Sequence, residues 1–197
     1  MQDPAAELFH TTFHSKFGHM RAVSDGQHLI RLDWDQDRFT QPDKPDDVSR
    51  ETCHQLAAYL AGERRSFDLP LLAAGKPATG RLWLTAMARI PYGTTMSYGA
   101  FAALAGKPQA PRAAGTACST NPIPIIYPCH RVVQRGGGLG NYGGGSSLSP
   151  RHPDNLGRQQ APIDLERAFA QPASGLAVSP LDEIVVRPRM LPLFAPE

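Results

Sequence analysis

Cys129 is the residue of this chain whose type and neighbours best suit covalent chemistry. It lies between Pro128 and His130, and the basic Arg131 follows. A nearby imidazole and a positive charge favour the thiolate, which is the reactive form of cysteine. The sequence therefore predicts a nucleophilic thiol at Cys129.

Two other interpretations of Cys129 stay open on this local context. A lone cysteine is commonly a buried, inert core residue, and the flanking residues alone do not decide between an inert and a reactive thiol. A protease-like Cys–His pair is the third interpretation. Residues adjacent in sequence seldom aim their side chains at each other, however, and no oxyanion-hole motif accompanies Cys129.

Length and composition limit the possible size and class of the protein that positions this thiol. The chain has 197 residues, enough for one good core or two small domains, and its net charge of +2 neither demands nor excludes nucleic acid as a partner. Its three cysteines lack any CxxC spacing, which argues against a disulfide framework. The N-terminus has no basic start and no apolar run, and no stretch reaches the length of a membrane span, so we expect a reducing, cytoplasmic location.

The N-terminal third has the composition of β-structure followed by one helix. Residues 8–34 are rich in β-branched and aromatic side chains, and Asp25-Gly26 between two such runs predicts a β-hairpin. The segments that follow are predicted as a polar loop at 36–48, an amphipathic helix at 51–63, a short edge strand at 67–70 and a small-residue linker at 72–80. Cys53 and His54 face different ways on the helix, so we expect no structural metal.

The second half is predicted to be mainly helical. Apolar spacing predicts a helix at 79–90, ended by Pro91-Tyr92-Gly93. Ser97 can cap a helix that runs to Ala105 and is closed by Gly106, and Pro111 suits the first position of a helix at 111–120. Helix, short turn and helix is the layout of a helix-turn-helix. After a Gly-rich loop, the only segment predicted as a helix is 161–171, and the chain beyond it is expected to be partly disordered.

Three runs of sequence resemble the O6-alkylguanine-DNA alkyltransferase family. They are IPYGTTMSYGAFAALAG at 90–106, PRAAGTACSTNPIPIIYPCHRVV at 111–133 and GNYGGG at 140–145. The likeness is continuous over 77–145, and a looser one extends over the N-terminal β-rich region. Pro-Cys-His-Arg-Val, with Asn-Pro before it and Gly-Asn-Tyr after it, is a highly specific combination, which disfavours the inert-cysteine interpretation.

The resemblance implies a fold and an activity. The fold is α/β (α+β), with an N-terminal β-rich, ribonuclease-H-like small domain at 1–74, a C-terminal DNA-binding and alkyl-transfer domain at 75–160 and an extension at 161–197. The activity is direct-reversal DNA repair by a methylated-DNA–[protein]-cysteine S-methyltransferase, which moves the alkyl group of O6-alkylguanine, and of O4-alkylthymine, onto Cys129 once. Double-stranded DNA carrying alkylated guanine is the implied partner of a monomer that needs no cofactor, metal or membrane.

The resemblance also implies roles for individual residues. Cys129 accepts the alkyl group, and His130 acts as the base through a bridging water. Tyr98 donates a hydrogen bond or proton to guanine N3, Arg112 intercalates where the flipped base was, and Asn121 braces the active-site turn. The implied DNA-binding residues are Ser97, Tyr98, Arg112, Ala113, Ala114, Gly115 and Arg131.

The implied substrate pocket is formed by residues on both sides of the Gly-rich loop. Val132 offers its backbone carbonyl to the guanine exocyclic amine, Asn141 and Tyr142 line the pocket, and Gly143 stands where many members carry Ser. Its backbone N–H can still reach O6, but a hydroxyl contact is lost.

The sequence departs from the family pattern behind His130. Members usually continue after the Gly-rich loop into a helix bearing an acidic residue that polarises the histidine, whereas Ser146–Pro153 interrupts that pattern here. Asp154, Asp164 and Glu166 are the candidates, and we favour Glu166 because it lies in the predicted helix. Ala78-Thr79 also replaces a Phe-Gln pair common in the family.

Two functions of other classes compete with alkyl transfer. A non-catalytic module that flags lesions for other repair systems belongs to relatives that lack the cysteine, so Cys129 argues against it. A helix-turn-helix regulator would prefer one operator strongly, whereas a repair protein binds DNA sequences with similar affinity and loses them with salt. The small side chains of 111–120 suit either a tightly packed core helix or a helix that lies close to a flat partner.

Overall fold

The computed structural model describes residues 7–15, 18–35, 39, 41–73, 75–139 and 153–170, and in the last range it describes side chains from residue 159 onward. The fold is mixed α/β, as the sequence predicted, with a three-stranded sheet followed by helices and a two-stranded pairing. We call residues 7–73 the N-terminal part and residues 75–170 the C-terminal part. No helix among the described residues is long and apolar enough to cross a membrane.

An antiparallel sheet forms the first layer. Its strands β1 (Phe9–Ser15), β2 (Gly18–Ser24) and β3 (Leu29–Asp35) lie side by side in sequence order. Met20 pairs with Trp34 in the register, and both side chains are buried. The predicted hairpin at Asp25-Gly26 is confirmed, because Gly26 has a φ of +91° and the Asp25 carboxylate accepts hydrogen bonds from the backbone N–H groups of Gln27 and His28.

Helix α1 (Asp47–Leu60) packs against this sheet through Leu56, Tyr59 and Leu60. It begins earlier than the predicted 51–63, and its first residues belong to the predicted loop 36–48. The reason is a reciprocal cap: the Asp46 carboxylate accepts from Ser49 N at 2.9 Å, and Asp46 N donates to the Ser49 hydroxyl at 3.1 Å. The proline-bearing residues before Asp46 obscured this start signal.

The segment after α1 is not the predicted edge strand at 67–70. Phe67 and Leu69 bury their side chains in the core, and pairing with the sheet occurs one step later, as a single parallel bridge between Leu71 and Leu29. Leu29 N donates to Pro70 O at 2.7 Å, and Leu72 N donates to Leu29 O at 3.0 Å. Core burial rather than a strand ladder therefore fixes this segment.

Three short helices follow, close to the predicted positions. They are α2 (Ala78–Met87), α3 (Tyr98–Leu104) and α4 (Pro111–Ser119). The Ser97 hydroxyl caps α3 by accepting from Ala100 N at 3.2 Å, and Gly106 closes the turn with a φ of +70°. Strands β4 (Met96–Ser97) and β5 (Val132–Val133) pair in parallel, which connects the start of α3 to the segment after Cys129.

Helix α5 (Pro153–Ala170) corrects the prediction of a helix at 161–171. The run that ends at Pro153 suggested an interruption, but Pro153 occupies the first helical position, where a missing N–H is tolerated. Pro162, which the predicted helix already included, lies inside the helix. The helix runs through residue 160, where a domain boundary was expected. The tail after residue 171 lies outside the described residues.

The C-terminal end of α5 contacts both parts of the chain. A Cβ on Gly62 would lie 2.5 Å from the Phe169 ring, and a Cβ on Gly93 would lie 2.5 Å from the Ala170 Cβ. Arg65 of the N-terminal part also donates to Phe169 O at 2.8 Å. Helix α5 is therefore held against the end of α1 and the turn before α3.

Candidate active site around Cys129

Cys129 begins a short 3-10 helix, Cys129–Arg131, and its side chain is fully buried. The loop before it turns tightly, because Tyr127 N donates to Ile123 O at 2.9 Å and Cys129 N donates to Tyr127 O at 2.8 Å. Ile125 in this loop has a φ of +72°. A β-branched residue in that left-handed region stores on the order of 1–3 kcal/mol of strain, which the surrounding packing must hold.

Asn121 connects the loop to the thiol. Its side-chain amide donates to Cys129 Sγ at 3.0 Å and to Tyr127 O at 2.8 Å, while its Oδ1 accepts from Ile123 N at 3.1 Å. The structure thus brings Asn121 to Cys129, where its N–H can stabilise negative charge on sulfur.

His130 is fully buried and paired with Glu166. Its Nε2 lies 2.7 Å from Glu166 Oε1, so Nε2 carries the proton and Nδ1 keeps a lone pair. Nδ1 is buried and has no hydrogen-bond partner among the described residues. Burial lowers the pKa of His130 below its ordinary value of 6.5, with a smaller contribution from Arg131 and against the opposing effect of the Glu166 carboxylate. The imidazole is therefore neutral and can accept a proton.

The structure identifies Glu166 as the acidic residue behind His130. It is 1% exposed and lies in α5, in the part of that helix that the sequence predicted. Burial alone would raise the pKa of its carboxyl, but His130 and Arg131 outweigh that effect and hold the pKa well below its ordinary 4.5. Asp164 is exposed and bound by Gln160 instead, and the side chain of Asp154 lies outside the described residues.

Arg131 is buried, which disagrees with the surface position expected of a DNA-binding residue. It is 6% exposed, and its Nε and Nη2 donate to both oxygens of Glu166 at 2.9–3.1 Å. A third nitrogen donates to Ile90 O. Its charge is therefore compensated by Glu166 rather than offered to phosphate or to the Cys129 sulfur.

Tyr98 lies at the start of α3 and is half-buried beside α4. A Cβ on Gly115 would lie 3.9 Å from the Tyr98 ring. Burial, and then the Cys118 and Cys129 thiols, raise the pKa of Tyr98 above its ordinary value of 10.0. The phenol therefore stays protonated and can donate a hydrogen bond.

The residues of α4 divide between surface and core. Arg112 and Ala113 are exposed, and Gly115 is partly exposed. Ala114 is fully buried and shares the inner face with Cys118, so the expected DNA contact of Ala114 is corrected. Helical periodicity is the reason, because residues four apart lie on one face.

Of the residues expected to form the substrate pocket, the structure describes Val132 but not those of the Gly-rich loop. The Val132 carbonyl accepts from the buried Gln159 amide at 2.9 Å. Gln159 was not among the predicted site residues, because the predicted helix began at residue 161. Asn141, Tyr142 and Gly143 lie outside the described residues.

Fold and site together define a class: an α/β protein in which a helix-turn-helix lies beside a buried cysteine with an Asn donor and a His–Glu pair. Family models agree with this class. Residues 8–73 match the ribonuclease-like domain, and residues 79–167 the DNA-binding domain, of 6-O-methylguanine DNA methyltransferase. The chain therefore belongs to the 6-O-methylguanine DNA methyltransferase family, and the predicted enzyme class is confirmed at that level.

Similar proteins carry matching names. The methylated-DNA–protein-cysteine methyltransferase, constitutive, of Bacillus subtilis is 35% identical over 144 residues, covering 69% of this chain and 87% of the relative. A crystal structure of Mycobacterium tuberculosis O6-methylguanine methyltransferase aligns with a TM-score of 0.68 at 35% identity, covering 84% of this chain and 96% of the other. The Mycobacterium tuberculosis OGT in complex with DNA aligns with a TM-score of 0.67 at 36% identity, covering 81% and 93%.

Proposed function

We propose that this protein repairs DNA by moving the alkyl group of O6-alkylguanine onto Cys129 Sγ in a single turnover. The observation that carries the proposal is the environment of Cys129: a buried thiol that receives the Asn121 amide N–H at 3.0 Å, adjoining a His130–Glu166 pair at 2.7 Å. This environment supplies both a donor for the thiolate and an acceptor for its proton.

The proposed step is an in-line displacement at the alkyl carbon. The S–C bond forms as the bond from that carbon to guanine O6 breaks, and the thiol proton passes through a bridging water to His130 Nδ1. Tyr98 donates a hydrogen bond or proton to guanine N3, which offsets the negative charge that develops on the leaving guanine. The thioether product does not hydrolyse, so each molecule acts once.

The DNA side of the proposal rests on the surface of α4. Arg112 and Ala113 are exposed there, and small side chains let a helix backbone approach the minor groove. The target atom lies inside a duplex, so the nucleotide must be flipped out, and Arg112 fills the vacated space. This surface extends to Ser97 at the start of α3 and to the partly exposed Gly115. O4-alkylthymine is a second proposed substrate.

We also propose a location, an oligomeric state and domain bounds for the protein. The protein acts as a cytoplasmic monomer and associates with the nucleoid when it binds DNA. Residues 1–74 form the N-terminal domain, supported by a family match that ends at residue 73. The second domain extends beyond residue 160 to include α5, because Glu166 and Gln159 of that helix contact the segment after Cys129.

Mass spectrometry tests the proposal directly. After incubation with duplex DNA carrying O6-methylguanine, we expect the peptide that contains Cys129 to gain one methyl group, with one methyl per protein at saturation. Undamaged DNA of the same sequence is the control and should leave the peptide unmodified.

An unmodified Cys129 peptide after exposure to lesion DNA would overturn the proposal. Tight lesion binding without modification would instead favour the module that flags damage. A large preference for one undamaged operator would favour the regulator, since specific regulators discriminate by about 10³–10⁷ over non-specific DNA.

Replacing Arg112 with alanine should slow transfer from duplex DNA and spare transfer from the free base O6-methylguanine. The free base needs no flipping. On duplex DNA, loss of the side chain that fills the vacated position in the base stack costs a few kcal/mol, which lowers the rate roughly 10- to 100-fold. Single-turnover rates on the two substrates check this prediction.

Arg112→Lys separates insertion from simple charge. If Arg112 only contacts a phosphate, lysine should restore the rate, and alanine should reduce the salt dependence of DNA binding by about one unit of slope. If Arg112 fills the stack, lysine should restore binding but not the rate. Equal losses on duplex DNA and free base would refute the insertion role.

A further inference from the structure

Tyr59 reaches the active-site carboxylate from the N-terminal part of the chain. It lies on α1, is fully buried, and donates its hydroxyl hydrogen bond to Glu166 Oε1. The same oxygen receives His130 Nε2 at 2.7 Å and an Arg131 nitrogen at 2.9 Å. Tyr59, from the N-terminal part, therefore hydrogen-bonds to the same Glu166 oxygen that binds His130.

The surroundings of Tyr59 fix its orientation. Its ring stacks on Phe67 at 5.1 Å between centroids and meets Tyr92 edge-on at 5.9 Å. Burial and the neighbouring carboxylate raise the pKa of Tyr59 well above its ordinary value, so the hydroxyl remains a donor. A rigid ring with a permanent donor is suited to hold a carboxylate in one rotamer.

The groups that face Glu166 come from three places. Tyr59 approaches from α1, Gly93 N donates to Oε2 at 2.9 Å from the turn before α3, and His130 and Arg131 approach from the 3-10 helix. Tyr92 lies in the same turn, but its hydroxyl makes no hydrogen bond among the described residues. The Tyr59 and Gly93 hydrogen bonds come from groups that stay uncharged, whereas Arg131 is charged and His130 gains a charge when it takes a proton.

We propose that Tyr59 is a positioning residue for alkyl transfer, holding Glu166 Oε1 so that the carboxylate orients His130 and sets how readily it binds a proton. The inference rests on the proposed function. A hydrogen bond from Tyr59 withdraws charge from Oε1, so its loss leaves a more basic carboxylate facing the imidazole. His130 would then protonate at higher pH and fail as a base at higher pH.

The test is the pH dependence of the single-turnover rate on duplex DNA carrying O6-methylguanine. In Tyr59→Phe we expect a rate about tenfold lower near neutral pH. We also expect the acid limb of the profile to move to higher pH by roughly half to one unit, the effect of one hydrogen bond.

Tyr92→Phe is the matched control. It removes a hydroxyl from the same aromatic cluster, and that hydroxyl has no hydrogen-bond partner among the described residues. Its profile should overlay that of the wild type. Superimposable profiles for Tyr59→Phe and wild type would overturn the inference, as would equal rate losses in both variants with no shift of the limb.

A second variant covers the case in which Tyr59→Phe does not fold. Site-specific replacement of Tyr59 by 3-fluorotyrosine keeps the ring and strengthens the donor, so the acid limb should move to lower pH. An unmoved or oppositely moved limb would overturn the inference. Failure of the proposed function is distinguishable, because the wild type itself would then take no methyl group.

Discussion

Cys129→Ser should take no methyl group from O6-methylguanine DNA while binding that DNA within a few-fold of the wild type. Serine keeps the shape of the side chain and the Asn121 contact, but its hydroxyl does not ionise at neutral pH. Loss of a nucleophile lowers the rate by on the order of 10⁴-fold or more. Intact-protein mass and fluorescence anisotropy with labelled duplex measure the two effects.

The other two cysteines provide matched controls for this replacement. Burial is the main cause that raises the pKa of Cys53 to about 12 and that of Cys118 well above its ordinary 9.0, so both stay protonated. Cys53→Ser and Cys118→Ser should therefore still accept one methyl group. A label on Cys118 in the wild type, or any label on Cys129→Ser, would show that the acceptor is assigned wrongly.

Glu166→Gln should destabilise the protein and slow transfer together. The replacement keeps the shape but leaves the buried Arg131 guanidinium without its counter-charge, and removing one partner of a buried pair typically lowers the free energy of unfolding by about 3–5 kcal/mol. Loss of a residue that orients a catalytic histidine lowers the rate by roughly 10- to 100-fold. Urea unfolding and single-turnover rates, measured where both proteins are folded, test the two effects.

Asp164→Asn is the matched control on the same helix. Asp164 is exposed, so the same carboxylate-to-amide change should alter the free energy of unfolding by no more than about 0.5 kcal/mol. If Glu166→Gln behaves like Asp164→Asn, the buried network does not stabilise the fold as described.

The pKa shifts fix the sign of the pH dependence of stability. Burial holds the pKa of His130 below its ordinary 6.5, and His130 and Arg131 hold that of Glu166 below 4.5. In both cases the unfolded chain binds a proton at a higher pH than the folded chain does, so the free energy of unfolding falls as the pH falls. The loss begins near pH 6.5 from His130 and continues below pH 4.5 from Glu166, and Glu166→Gln should remove the second part.

Local signals in the sequence were sufficient where a few neighbouring residues determine the structure. Asp25-Gly26, Ser97, Gly106 and Pro111 each placed a turn or a helix end correctly, because caps and left-handed turns depend on side chains within about four residues. The signal failed at α5, where the run Ser146–Pro153 suggested an interruption and the helix was predicted to begin only at residue 161, whereas it begins at Pro153. Packing of its inner face, including Ile163 and Leu165, outweighs the weak local preference.

By itself, the sequence determined the family, the candidate nucleophile Cys129 and its neighbours in the chain, because these depend on residue types at fixed spacing. Only the tertiary structure decided which acid faces His130, that Arg131 and Ala114 are buried, and that Tyr59 and Gln159 reach the site. Those contacts join residues far apart in the chain, and Tyr59 and Glu166 are separated by 107 positions. Such pairs leave no local pattern, since folding alone brings a buried charge and its partners together.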